Sequence, residues 1–145
     1  MKKKVQKYNL KAPCSSDSLE IIRKFVIDIS NKIGISSDSI NKIELAVDEA
    51  CSNVVKHAYD SSSNRSIMVE VKTDHEKMTI KIKDTGKGFD PDNVEELDMK
   101  KYLSEYRTGG LGIHLMRTLM DVVSYNIKPG VSNQVVMTKY LSKSL

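Results

Sequence analysis

Ile82-Lys83-Asp84-Thr85-Gly86-Lys87-Gly88-Phe89 closes a run in which Met78, Ile80 and Ile82 alternate with Lys77, Thr79, Lys81 and Lys83, and further along the chain stands Gly109-Gly110-Leu111-Gly112. The alternation has the period of a strand with one wet face, so the strand ends in the Asp84 carboxylate. Gly86 and Gly88 then allow positive φ and close backbone approach, with Phe89 packed under the turn. A carboxylate in that place accepts a hydrogen bond from the exocyclic amine of adenine, whereas guanine presents a carbonyl oxygen there and is repelled. Gly109, Gly110 and Gly112 open an apolar stripe, Leu111, Leu115 and Leu119 with Met116 and Met120, whose first free N–H groups suit an anion. Arg107 and Thr108 just upstream add a charged fork and a hydroxyl near a terminal phosphate. Asp-x-Gly-x-Gly alone is equally an ordinary turn, and the surrounding sequence has to decide between the readings.

Outward from this stretch the chain reads as alternating elements. Residues 5–12 alternate loosely up to Pro13 and predict an edge strand. Asp17 and Glu20 have capping-box spacing, and Leu19, Ile22, Val26, Ile29 and Ile33 recur at three and four up to Gly34, which predicts an amphipathic helix with a C-terminal stop. Ser36-Ser37-Asp38 starts a second helix with the stripe Ile43, Val47, Ala50, Val54 and Ala58, ending at Tyr59. Ile67, Val69 and Val71, the turn Asp74-His75, and the run to Ile82 predict an antiparallel hairpin. Residues 90–108 are charged and poorly patterned, a mobile lid rather than a core element. Residues 122–128 and 134–141 predict two last strands around Pro129-Gly130. Burying every stripe takes an α/β (α+β) two-layer sandwich, a mostly antiparallel mixed sheet covered on one face by about three helices, in a single domain over residues 1–145.

Composition narrows the function. With 145 residues, 39% hydrophobic and 29% charged, the chain suits one soluble domain. It has no apolar run of membrane-span length and no apolar core behind Met1-Lys2-Lys3-Lys4, so the expected address is the cytoplasm and no membrane contact is expected. Cys14 and Cys51 lack metal-ligand spacing and read as reduced, packed thiols. The net charge of +4 is partly carried by the terminal lysines and has no basic and aromatic motif beside it, so no direct nucleic-acid binding is expected.

The chemistry would lie on the second helix. A rotation of about 100° per residue puts Glu49, Asn53 and Lys56 on one flank, beside the apolar stripe. Asn53 offers a hard carbonyl oxygen suited to Mg²⁺, which takes few protein ligands and fills its octahedron with phosphates and waters. Glu49, one turn earlier, is placed to orient or deprotonate an attacking hydroxyl. Lys56 reaches a phosphate as a point charge. By itself the trio is also what a solvated flank looks like; its weight comes from Asp84 and the second glycine cluster. His57 lies close to the apolar stripe and reads as structural, not as a phosphoacceptor. The chain has no G-x-x-x-x-G-K-[ST], no dinucleotide fingerprint in a βαβ unit, and no HRD and DFG elements of eukaryotic-type kinases.

Taken in order, Glu49-Ala50-Cys51-Ser52-Asn53, Asp84-Thr85-Gly86-Lys87-Gly88-Phe89 and Gly110-Leu111-Gly112 resemble the N, G1 and G2 boxes of the GHKL superfamily. Its Bergerat, or histidine-kinase-like ATPase, fold is shared by histidine kinases, Hsp90, type II topoisomerases and MutL. Within it the chain is most similar to stand-alone serine-protein kinases that act as bacterial anti-sigma factors, the RsbW and SpoIIAB type. Asn53-Val54-Val55-Lys56-His57-Ala58-Tyr59 and Val135-Val136-Met137-Thr138-Lys139-Tyr140-Leu141 carry that closer likeness. The resemblance implies that Asn53 binds Mg²⁺, Glu49 serves as catalytic base and Asp84 recognises the adenine of ATP. It further implies that the γ-phosphate goes to a serine of a small anti-anti-sigma protein of the STAS type, and that the chain sequesters a sigma factor, often as a homodimer. The sequence departs from the family's Gly-Thr pair at the opening of the last strand, where Val131-Ser132-Asn133-Gln134 stands. Either Asn133 replaces the threonine near the nucleotide or that contact is lost.

The expectation is thus an ATP-dependent serine-protein kinase and anti-sigma factor that works by partner switching, its lid setting which protein is held. Two alternatives stand beside it. A catalytic fragment of a histidine kinase lacks support because the chain leaves no room for a dimerisation helix pair with its phosphoacceptor histidine. A switch module that holds nucleotide and partner without phosphoryl transfer needs Asn53 and Asp84 but not Glu49. Arg23 and Lys24 on the first helix are candidate partner contacts, although a solvated helix face explains them as well.

Overall fold

The computed structural model describes residues 5–56, 66–84, 116–128 and 132–141. Its elements run β1 (Gln6–Pro13), α1 (Ser18–Lys32), α2 (Ser37–Lys56), β2 (Ser66–Thr73), β3 (Lys77–Asp84), β4 (Val122–Lys128) and β5 (Ser132–Tyr140), and residues 116–119 are helical. The strands form one sheet in the order β1-β2-β3-β5-β4, with β1 at an edge as its loose alternation predicts. Every described pairing is antiparallel, so the mixed sheet expected from the sequence shows no parallel pair among the described strands. The topology gives the reason for β1 and β2. A parallel partner needs one crossover helix, but here two helices reverse the chain twice and return it to the end of the sheet where β1 finished.

Alternation decides the faces. Ile67, Val69 and Val71 on β2, Met78, Ile80 and Ile82 on β3, and Val135 and Met137 on β5 are buried, and they pack with Ile22, Val26 and Ile29 of α1 and Ile43, Val47, Ala50 and Val54 of α2. Both predicted helical stripes therefore face the sheet. Ile80 is at the centre, fully buried, in register with Val71 on one side and Met137 on the other. Ile80→Ala removes the middle of this layer with strands fixed on both flanks, which leaves little freedom to collapse, so a loss of about 2–5 kcal/mol is expected. The urea unfolding midpoint measures it.

The helix ends show which local signals hold. Asp17 makes no side-chain cap and has helical φ and ψ, so the predicted capping box is not formed. The carbonyls of Ser15 and Ser16 instead accept from the N–H groups of Ser18 and Leu19, satisfying two of the free donors of the first turn. At the other end Gly34 has φ +78° and the Ile35 and Gly34 N–H groups donate to the Ser30 and Asn31 carbonyls, a Schellman stop that glycine permits. The α2 start is capped as expected, with Ser36 Oγ accepting from the Ser39 N–H at 3.3 Å. In the β2–β3 turn, Asp74 Oδ1 accepts from the N–H groups of Glu76 and Lys77 at 2.7 and 2.9 Å. The helical segment at 116–119 is tied to β5, because Lys139 Nζ donates to the Leu119 carbonyl at 2.9 Å and places a cation at its C-terminal end.

Candidate functional site

Three polar side chains from three elements are buried where the last turns of α2 meet the ends of β3 and β5: Asn53, Asp84 and Asn133. Asp84 is the final residue of β3, and its register partner on β5 is Asn133. Both follow the inward alternation of their strands, so carboxylate and amide project from neighbouring strands toward the helix layer. Between the layers lies a crevice lined by Ala50, Asn53, Ile82, Met116, Tyr125 and Asn133, among others, with an empty volume of about 320 Å³ including its open mouth. Its walls are largely apolar, with Asn53, Asn133, Gln134 and Tyr125 as the polar residues among them.

Burial makes these amides informative. Asn53 Nδ2 and Asn133 Oδ1 are shielded from solvent and have no hydrogen-bond partner among the described residues. An unsatisfied buried polar atom costs roughly 1–3 kcal/mol, so two in one crevice mark a place held ready for a polar ligand. Glu49 lies one helical turn before Asn53 and is half-buried, between the core stripe and solvent. Asn53 is more deeply set than the flank position inferred from helical geometry, since it is buried and shares the crevice with Asn133 and Val135 of β5.

The donor set suits a hard cation. A half-turn of the Asn53 amide exchanges its orphaned nitrogen for the oxygen, so the side chain has a carbonyl to offer. No cluster of three or more His, Cys, Asp or Glu side chains is present among the described residues. One amide oxygen with phosphates and waters is what a Mg²⁺ ion carried in with a nucleotide requires.

Cys51, one turn from Val47 and Val54 on α2, is buried, and burial first, with Asp48 and Cys14 adding to it, pushes its thiol up to about 12. It stays protonated and acts as core, and neither Cys14 nor Cys51 is in a disulfide. Arg23 of α1 is held to α2 by Asp48 at 3.0 Å and Glu44 at 4.0 Å, which raises its pKa through the Asp48 hydrogen bond and charge. This candidate for partner contact is thus engaged within the helix pair.

Lys56 ends α2, and its side chain lies outside the described residues, as do His57, Gly86, Gly88, Arg107, Thr108, Gly109, Gly110, Leu111, Gly112 and the expected lid at residues 90–108. Met116 and Tyr125 were not singled out in the sequence, although inward alternation of Val123 and Tyr125 along β4 is a signal that finds the tyrosine. Its hydroxyl meets Met116 Sδ at 3.9 Å, closing one wall. No helix among the described residues is long and apolar enough to cross a membrane.

The family described as Histidine kinase-like ATPase domain matches residues 12–139. The serine-protein kinase RsbW of Halalkalibacterium halodurans is 36% identical over 135 residues, 90% of this chain and 81% of that protein. The RsbW of Bacillus subtilis is 32% identical over 147 residues, 98% of this chain and 90% of that protein. Among solved structures, the RsbU and RsbW domains of Rv1364c from Mycobacterium tuberculosis superpose with a TM-score of 0.70 at 15% identity, over 96% of this chain and 33% of that one, which shows the shared fold.

Proposed function

Because this chain belongs to the histidine kinase-like ATPase domain family, we propose that it is an ATP-dependent serine-protein kinase and anti-sigma factor, which phosphorylates a small STAS-type anti-anti-sigma protein and holds a sigma factor by partner switching. The observation that carries the reading is that Asn53 and Asn133 line one crevice, each with an orphaned polar atom, and that the buried Asp84 is the register partner of Asn133. The RsbW relatives, at 32–36% identity over most of the chain, support the kinase class.

In this reading Asp84 accepts a hydrogen bond from the adenine amine, and Asn133, next to it across the strand pair, brings an amide to the same base edge. Asn133 thereby takes the place of the family's threonine. Asn53 would hold Mg²⁺, which when bound would supply charge neutralisation for the phosphates. Gly86 and Gly88 let the backbone approach the nucleotide. Gly109, Gly110, Leu111 and Gly112 cradle its phosphates by their N–H groups, with Lys56, Arg107 and Thr108 beside them. Glu49 takes the proton from the incoming serine hydroxyl as the serine oxygen bonds to the γ-phosphorus. The bond from that phosphorus to the β,γ-bridging oxygen breaks, and ADP leaves with the bridging oxygen. The protein works in the cytoplasm as a C2 dimer.

The reading is tested by incubation with γ-labelled ATP, Mg²⁺ and a STAS-type protein encoded near this chain's gene. Label on a partner serine supports it, and nucleotide binding with no transfer to any partner reduces the protein to a switch module. Asn53→Ala is expected to abolish the gain in ATP affinity that Mg²⁺ brings, while affinity measured in EDTA changes little. Titration calorimetry with and without Mg²⁺ measures both, and an unchanged Mg²⁺ dependence removes Asn53 from the metal site.

A further inference from the structure

The face of the sheet turned away from the helices has a charge distribution that the nucleotide site does not use. Alternation sends outward Lys7 and Lys11 from β1, Lys72 from β2, Lys77, Lys81 and Lys83 from β3 and Lys128 from β4, and Glu70 is the one acidic residue among them. The rest of the described residues carries eleven acidic against seven basic residues. The fold therefore concentrates cations on this sheet face, seven lysines against one glutamate, whereas α1 and α2 mix the signs with six acidic and five basic residues. Glu70 engages Lys7 at 3.7 Å and Lys72 at 3.4 Å, and no carboxylate of the described residues pairs with Lys11, Lys81 or Lys83.

Those three lysines border an open groove, together with Asn9, Met68 and Gln134, of about 780 Å³ of empty volume including its open side. Met68 lies in it with 41% of its surface exposed, an adaptable apolar side chain flanked by cations. We propose that this groove docks an acidic segment of a partner protein, with carboxylates on Lys11, Lys81 and Lys83 and one apolar side chain seated against Met68.

Charge complementarity selects this occupant. A second copy presenting the same face brings lysines against lysines, so the face is not an isologous dimer interface. A nucleic acid is read by aromatic platforms and arginine forks, and among the described residues the outward face has no arginine and one aromatic residue, Tyr140, at the end of β5 and outside the groove lining. The proposal is independent of the nucleotide reading, because it rests on the opposite face of the sheet.

The probe is a fluorescein-labelled twelve-residue Glu/Asp peptide with one central leucine, followed by anisotropy with the full chain. Controls are its leucine-to-serine version, a single-stranded DNA of equal charge, and phosphatidylglycerol vesicles. The Lys11→Glu/Lys81→Glu variant is expected to weaken the leucine peptide at least tenfold, with unfolding midpoint and ATP affinity unchanged. Met68→Ala is expected to weaken the leucine peptide and leave the serine version as it was. Three results overturn the proposal: leucine adds no affinity, DNA or vesicles bind as tightly as the peptide with the same sensitivity to Lys11→Glu/Lys81→Glu, or that variant changes the sedimentation state. A variant whose midpoint falls is replaced by Lys11→Gln/Lys81→Gln, for which the same peptide loss is expected and its absence counts against the docking site.

Discussion

Asp84→Asn is expected to weaken adenine-nucleotide binding by about 100-fold or more, which corresponds to about 2.7 kcal/mol. The substitution keeps shape and volume, so the loss comes from chemistry. The carboxylate is an acceptor only, whereas the amide has two N–H donors, and one of them set against the adenine amine confronts donor with donor. The hydrogen bond lost is charge-assisted, and the position is buried, so water does not replace it. Displacement of a fluorescent ATP analogue measures the effect, with far-UV circular dichroism to show that the β3–β5 pairing survives. A loss under tenfold in a folded variant would place the base elsewhere.

Glu49→Ala is expected to separate binding from chemistry. Glu49 is half-buried on the turn of α2 before Asn53, outside the buried set that lines the crevice. Its removal leaves the Asp84, Asn133 and Asn53 contacts in place, so ATP affinity should hold within about twofold while phosphoryl transfer falls by about 10²–10⁴, the usual contribution of a general base. Single-turnover transfer to the STAS-type partner, beside equilibrium ATP binding, reads the two effects separately. Transfer at the wild-type rate means that Glu49 is not the base, and a matching loss of affinity means that it belongs to the binding site instead.

Much of the architecture was legible because burial imposes a period. The alternation from Ile67 to Ile82 set the hairpin, its inward face and the place of Asp84, and the stripes from Leu19 and Ile43 set the covered sides of both helices. Asp17 shows the limit of a local pattern: it has capping-box spacing, yet its backbone is already helical and the Ser18 and Leu19 donors are met by the Ser15 and Ser16 carbonyls of the preceding turn. The all-antiparallel pairing among described strands was out of reach for a similar reason, since strand order depends on how connections run in space. Asn53 and Asp84 are candidates from residue type and spacing, and the structure shows both buried. That Asn133 stands beside Asp84 depends on the register of strands about fifty residues apart, which no local pattern encodes. Met116 and Tyr125 entered the site for their shape, and shape at a crevice wall leaves no mark on sequence beyond alternation.

The pairing of Asp84 with Asn133 has its neighbour in Lys83 with Gln134, one residue back on β3 and one forward on β5. One step along the same two strands therefore passes from the inner side of the sheet, which carries the candidate site, to the outer, cationic side. What distinguishes the two sides is parity. A single residue inserted early in β5 would turn Asn133 out of the crevice only by also throwing Val135 and Met137 from the core into solvent. The ligand site cannot be edited by strand length without unmaking the fold, so change there has to come by substitution at fixed positions, and insertions are confined to the connections between strands.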